Sequence, residues 1–175
     1  MKSSRIAALL VCIATLLCMF CSCGSSNKMT SSLLFDNIDQ DLLGKSIEEI
    51  TEIDGYIEQY KAKEKDMDDG TLRLKYTYRE IDGNGHGDAF VEGGKWFTTV
   101  SYFFRDGALE TYRIEYRQSD FSQGMCAKRM ELFSGYLTEK YGEPKKENEW
   151  EIRGGTLDMA KQNGGWILFV YEADE

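Results

Sequence analysis

Leu72, Leu74, Tyr76 and Tyr78 alternate with Arg73, Lys75, Thr77 and Arg79. Successive side chains of a strand point to opposite faces, so this stretch has one apolar face to bury and one polar face to leave in water. Tyr112, Ile114 and Tyr116 repeat the pattern against Arg113, Glu115 and Arg117. Between them the run Trp96 to Phe104 is apolar on both faces, as in a strand flanked by two others. Asp106-Gly107 lies where the chain must reverse, and it suits the positive φ angles of a two-residue hairpin turn. Together these stretches call for an antiparallel sheet.

Helical segments frame the strands. Ser46 and Glu49 form a capping-box pattern around Ile47, Ile50 and Ile53, and Asp54-Gly55 stops the run. A longer helix opens at Asp120 with Gln123 as its capping partner. It carries Cys126, Met130, Phe133, Leu137 and Tyr141 as an apolar stripe until Gly142 and Pro144 end it. Leu33 to Leu43 suits a short helical turn closed by Gly44; in Tyr56 to Lys65 the spacing of Tyr56 and Tyr60 suits a helix while the flanking Gly55 and Gly70 suit a strand, and the strand is the favoured reading. The tail is a meander with turns at Gly154-Gly155 and Asn163-Gly164-Gly165, its strands marked by Trp150, Ile152, Leu157, Met159 and Trp166 to Tyr171. Helix, strands, helix, strands predicts a single α+β domain. Its sheet is mostly antiparallel, two main helices pack on one face, and the order hints at a weak helix-meander repeat.

Ahead of this domain stands a different kind of segment. Lys2 and Arg5 give a basic start, Ile6 to Phe20 is apolar, and Phe20-Cys21-Ser22-Cys23-Gly24 closes the run with a small residue before a cysteine. That layout is a secretory signal with a processing site, and the apolar run falls short of the ~20 residues that span a bilayer. It resembles the lipobox of bacterial lipoproteins, with Phe20 in place of the usual Leu. The resemblance implies acylation of Cys23, which becomes the new N-terminus. Each buried CH₂ of an acyl chain adds about 0.8 kcal/mol, so more than one chain anchors stably. The expected organisation is 1–22 as signal, 23–32 as a small, polar, flexible tether, and 33–175 as the α+β domain. The protein is then expected on the extracytoplasmic side of a cell membrane or outer membrane.

Charge and cysteine usage narrow the function. Lys and Arg number 21 against 30 Asp and Glu, and loss of Lys2 and Arg5 takes the formal charge from −9 to −11. So acidic a domain has no overall attraction for nucleic acid. Four of the five cysteines lie at or before Cys23, leaving Cys126 with no intramolecular partner and the domain with no disulfide framework. Cys126 on an apolar helix face reads as a small buried hydrophobe. Stability must come from core burial, for which aromatics at 13% of the chain supply material.

A Gly-x-Ser-x-Glu-Glu helix start at Gly44, an aromatic strand with an Asp-Gly hairpin, and Leu137-Thr138-Glu139-Lys140-Tyr141-Gly142-Glu143-Pro144 followed by a Trp and a Thr-Leu strand resemble small secreted bacterial lipoproteins. The order also looks like the helix-plus-meander folds of barrel-assembly small lipoproteins and of β-lactamase inhibitory proteins. The resemblance covers most of Gly44 to Tyr171 through caps and turns, and it implies protein binding rather than catalysis.

Two places could carry function. Tyr76, Tyr78, Trp96, Tyr102, Tyr112 and Tyr116 would make a protein-binding patch if left on an open sheet face, with an envelope protein or an extracellular ligand as partner. The same residues could instead fill the core, and the pattern alone leaves both open. Asp82, Asn84 and Asp88 sit at alternate positions with His86 in a glycine-rich loop, as at the start of a calcium loop. His86 supplies nitrogen where calcium prefers oxygen, and the twelfth position is Gly93 rather than a bidentate Glu. A plain connecting loop is the favoured reading. The alternative to a non-catalytic binding module is a hydrolase or metal-dependent enzyme built on His86, the one histidine of the chain.

Overall fold

The computed structural model describes residues 33–81, 95–118, 123–162 and 166–174. In chain order the elements are helices α1 (Leu33–Ile38), α2 (Ile47–Ile53) and α3 (Tyr56–Gln59), then strands β1 (Lys63–Asp66), β2 (Leu72–Ile81), β3 (Lys95–Arg105) and β4 (Ala108–Gln118). Helix α4 (Gln123–Tyr141) leads to β5 (Glu149–Ile152), β6 (Gly155–Gln162) and β7 (Trp166–Ala173). The described strands form one antiparallel sheet in the order β1-β2-β3-β4-β7-β6-β5. The two meanders thus join where β4 pairs with β7, and β4 is the middle strand of the sheet.

Register explains which face is buried. Tyr76 pairs with Val100, Val100 with Ile114, Ile114 with Phe169, and Phe169 with Met159. All five are buried, as are their same-parity neighbours Tyr78, Tyr102, Tyr116 and Ile167. Leu34, Phe35, Ile50, Ile57, Phe133 and Leu137 from the helices share that core, so the helices cover one face of the sheet. Each such side chain contributes roughly 1.5–3 kcal/mol by leaving water. Rings interlock at the centre: Phe169 lies edge-on to Phe35 at 4.9 Å and to Phe133 at 4.7 Å. Trp150 is fully buried on β5, against which α4 packs.

Local signals set the element ends. Ser46 and Glu49 close the capping box, Ser46 N–H donating to Glu49 Oε2 at 2.9 Å and Glu49 N–H to Ser46 Oγ at 3.3 Å. Asp106 and Gly107 take φ of 52° and 82° between β3 and β4, the hairpin geometry that Asp-Gly permits. Gly155 is required by space, since a Cβ there would lie 2.1 Å from the carbonyl oxygen of Glu172. The segment Tyr56 to Lys65 departs from its expected strand, splitting into α3 and β1. The Asp54 carboxylate accepts the Tyr56 N–H at 3.0 Å and starts a new helical turn, which Lys61 ends at φ 52°. The α4 stripe behaves as expected, with Cys126, Phe133 and Leu137 buried and Met130 and Tyr141 packed at its margin. Residue Asp120, the expected start of that helix, lies outside the described residues.

Lysine 140 ties the two ends of the helical layer together. Its ammonium lies 2.6 Å from Asp36 and 2.9 Å from Asp39, and Tyr141 donates to Asp39 at 3.0 Å. Helix α1 and the turn after it are thereby docked on the last turn of α4.

Candidate functional site

Helices cover one side of the sheet, and the other parity of every strand faces away from them. On β3 and β7 this exposes rings. Phe97 is 36% exposed and Trp166 is half-buried. Two guanidiniums lie over the rings of this face, Arg117 above Trp166 and Arg113 above Phe103, each 4.6 Å from the ring centroid. Thr77 and Thr99 join hydroxyls across β2 and β3 at 3.0 Å. Two grooves run side by side here and share Lys75 and Thr77. One, of about 600 Å³, is walled by Phe97, Thr99, Glu115, Arg117 and Trp166. The other, of about 480 Å³, runs along Lys63, Lys65 and Arg73 and wraps round the β1 edge to Tyr60, Lys61, Glu64 and Tyr76.

The charge on this face is segregated. At one edge Lys63 stands directly across from Lys75, and Lys65 from Arg73. At the other edge Glu149 stands across from Asp158. Like charges in direct cross-strand pairs are destabilising. Burial and then the adjacent Glu149 push the Asp158 carboxyl above its ordinary range, against the pull of Lys146. Lys146 bonds Glu149 at 3.0 Å and Lys145 bonds Glu151 at 2.5 Å, which offsets part of the acidic edge. Rings, forked cations and hydroxyls on a broad shallow surface are suited to recognition.

Of the two placements open to the aromatic strand residues, the described tyrosines take the core. Tyr76, Tyr78, Tyr102, Tyr112 and Tyr116 are all buried beneath the helices, so they form core and no surface patch. Their parity is that of Leu74 and Ile114, and burial of those aliphatics fixes where the tyrosines go. The side chain of Trp96 lies outside the described residues, as do Cys23 and the loop bearing Asp82, Asn84, His86 and Asp88. Among the described residues no group of three or more His, Cys, Asp or Glu is placed to hold a metal ion. Phe97, Phe103, Arg113 and Arg117 were missing from the expected site. The odd parity of Phe97, Thr99, Ser101 and Phe103, matched to Arg73, Lys75 and Thr77, was the signal for them.

The buried tyrosines have their own polar centre. Asp54 is 2% exposed, and its Oδ2 accepts hydrogen bonds from Tyr76 at 2.5 Å and Tyr102 at 2.6 Å. Burial first, then Tyr112, raise both phenol pKa values well above normal, with the Asp54 charge adding to each and Tyr76 adding to Tyr102, so both stay protonated donors. Tyr112 stacks on Tyr102 at 4.9 Å and donates to the Leu34 carbonyl at 3.2 Å. This cluster is enclosed, and it holds α1 and the α2–α3 junction onto β2, β3 and β4. Cys126 is also buried, and burial raises its thiol pKa. Compared with known proteins, the chain matches no family model, no curated protein and no solved structure.

Proposed function

We propose that this chain is a lipid-anchored, extracytoplasmic binding module. Its leader directs export, an acylated Cys23 holds it at a cell membrane or outer membrane, and its domain engages a protein of the cell envelope without catalysing a reaction. The support for binding is the outer sheet face, where Phe97 and Trp166 stand among Arg117, Lys75 and Thr99 and, among the described residues, no helix lies over them. Phe, Trp and Arg are the residues on which interface energy concentrates. The support for the anchor is the basic start, apolar run and Ser22-Cys23 sequence of the leader.

One experiment addresses both halves. Cells expressing the wild type and Cys23→Ala are fed a clickable palmitate analogue, then treated with a crosslinker and fractionated. The wild type is expected to be labelled, membrane-bound and crosslinked to an envelope protein. Cys23→Ala loses label and membrane, while Phe97→Glu keeps both and loses the crosslink. An unlabelled, soluble wild type removes the anchor, and a crosslink indifferent to Phe97→Glu removes the binding face.

A further inference from the structure

We propose that the open sheet face is a self-complementary dimer interface, its occupant a second copy of this chain related by a two-fold axis along β4. This rests on the reading of that face as a docking surface. One register row crosses all seven strands: it begins with Lys63 and Lys75 and ends with Asp158 and Glu149. Between them it passes through Ser101, Arg113 and Val170. Because β4 is the middle strand, a half-turn about it exchanges β1 with β5, β2 with β6 and β3 with β7.

That rotation brings Lys63 over Glu149 of the second copy and Lys75 over its Asp158, within the same row. In the row two residues along, Lys65 comes over Glu151 of the second copy. On the other side, where Trp166 adjoins Arg117 and Phe97 pairs with Arg117, Phe97 comes over Trp166. Within one chain, Lys63 and Lys75 repel each other, as do Lys65 and Arg73, and Glu149 and Asp158. Against a second copy, each of these repelling pairs gains opposite charge, in addition to the Lys146–Glu149 and Lys145–Glu151 pairs already made within each chain. Along the axis each outward residue of β4 meets its own counterpart, Arg113 on Arg113, Glu115 on Glu115 and Arg117 on Arg117, and these like charges are offset by the diagonal approach of each guanidinium to the other copy's Glu115. Both guanidiniums are already laid over rings.

Shape and area agree with charge. A half-turn about a strand preserves the right-handed twist, so two copies nest as aligned sheets about 10 Å apart. Strands about 4.8 Å apart with about 3.4 Å per residue give a face of roughly 600–800 Å² per copy, close to the ~800 Å² per partner of a stable interface. A foreign acidic protein would satisfy the basic edge alone and leave Asp158 and Glu149 opposed.

The test is charge reversal with complementation, on the full chain in detergent, read by light scattering during size exclusion. The wild type is expected to be a dimer. Lys75→Asp alone and Asp158→Lys alone each set like charges together twice per dimer, and each should weaken self-association at least tenfold. An equimolar mixture should regain the dimer, because the two reversals then face each other and the two native residues do likewise. Misfolding of either variant cannot produce that rescue. A monomeric wild type overturns the proposal, as does a mixture no better associated than its components. If the wild type is monomeric and still forms a Phe97-dependent crosslink to another envelope protein, the docking face stands without the dimer. If neither forms, both fall.

Discussion

The Tyr102 hydroxyl donates a 2.6 Å hydrogen bond to Asp54 Oδ2 inside the core, across 48 residues of chain. It joins the end of α2 to the middle of β3. With Tyr76 on the same oxygen, one carboxylate serves two buried phenols. Asp54→Ala leaves both hydroxyls without that acceptor, and an unsatisfied buried group costs about 1–3 kcal/mol. The expected loss in urea unfolding is about 3 kcal/mol, with a smaller loss for Asp54→Asn, which keeps an acceptor. A loss within about 0.5 kcal/mol, as at an ordinary surface site, contradicts the cluster's role.

The same cluster sets an alkaline limit. Burial, then Tyr112 and Asp54, raise Tyr76 and Tyr102 above the ordinary 10.0, so the native state keeps protons that the unfolded chain releases. A raised folded-state value gives stability that is full below pH 10 and is lost as pH climbs beyond it. Tyr171, pushed up to about 12 by burial and then Asp41, adds to the loss between pH 10 and 12. Phenolate absorbance from these tyrosines should therefore rise together with unfolding. Absorbance that rises while near-ultraviolet dichroism stays native speaks against their burial.

Gly155 has no room for a side chain. A Cβ there would sit 2.1 Å from the Glu172 oxygen and 2.8 Å from Leu43 Cδ1, so β7 or the segment after α1 must move. Overpacking of this kind costs about 1–3 kcal/mol. Gly155→Ala should lower the urea midpoint accordingly, and an unchanged midpoint would mean that β6 and β7 are further apart.

Lys140 is 18% exposed and bridges Asp36 and Asp39, which are about half exposed, so solvent screening limits its worth. Lys140→Met should cost about 1 kcal/mol or less in stability while speeding amide exchange in α1. Uniform exchange across α1 and the sheet before and after substitution contradicts the clasp.

Substitutions on the open face should separate binding from folding. Phe97→Ser and Trp166→Ala remove rings that the core does not use, and their unfolding free energies should change by about 1 kcal/mol or less. Both should abolish partner crosslinking. Thr98→Val, one residue from Phe97 on the buried parity, should leave crosslinking intact.

Alternation makes the sheet legible in the sequence alone. Leu72 to Tyr78 and Tyr112 to Arg117 could hide one face only, Asp106-Gly107 fixed the reversal, and Ser46 with Glu49 marked a helix start. The sites were harder, for two physical reasons. Tyrosine is amphipathic, so Tyr76 and Tyr102 fit a wet face as well as a core; only the buried Asp54, contributed from 22 and 48 residues away, made the core affordable for their hydroxyls. The run Trp96 to Phe104 is apolar at both parities, which masked the partition of Phe97 from Thr98. Charge pairing across β1–β2 and β5–β6 depends on register between distant strands, which a local pattern does not hold. In Tyr56 to Lys65, an Asx turn at Asp54 and stacking of Tyr60 on Tyr78 at 5.0 Å overrode the strand preference.

The most direct measurement is site-specific photo-crosslinking in living cells, with the reactive residue at Phe97 on the open face or at exposed Lys128 on α4. The docking-face account expects a discrete adduct from position 97, either to a second copy or to one envelope protein, and none from position 128. Adducts from position 128 alone, or from neither position in an anchored and folded protein, would contradict it.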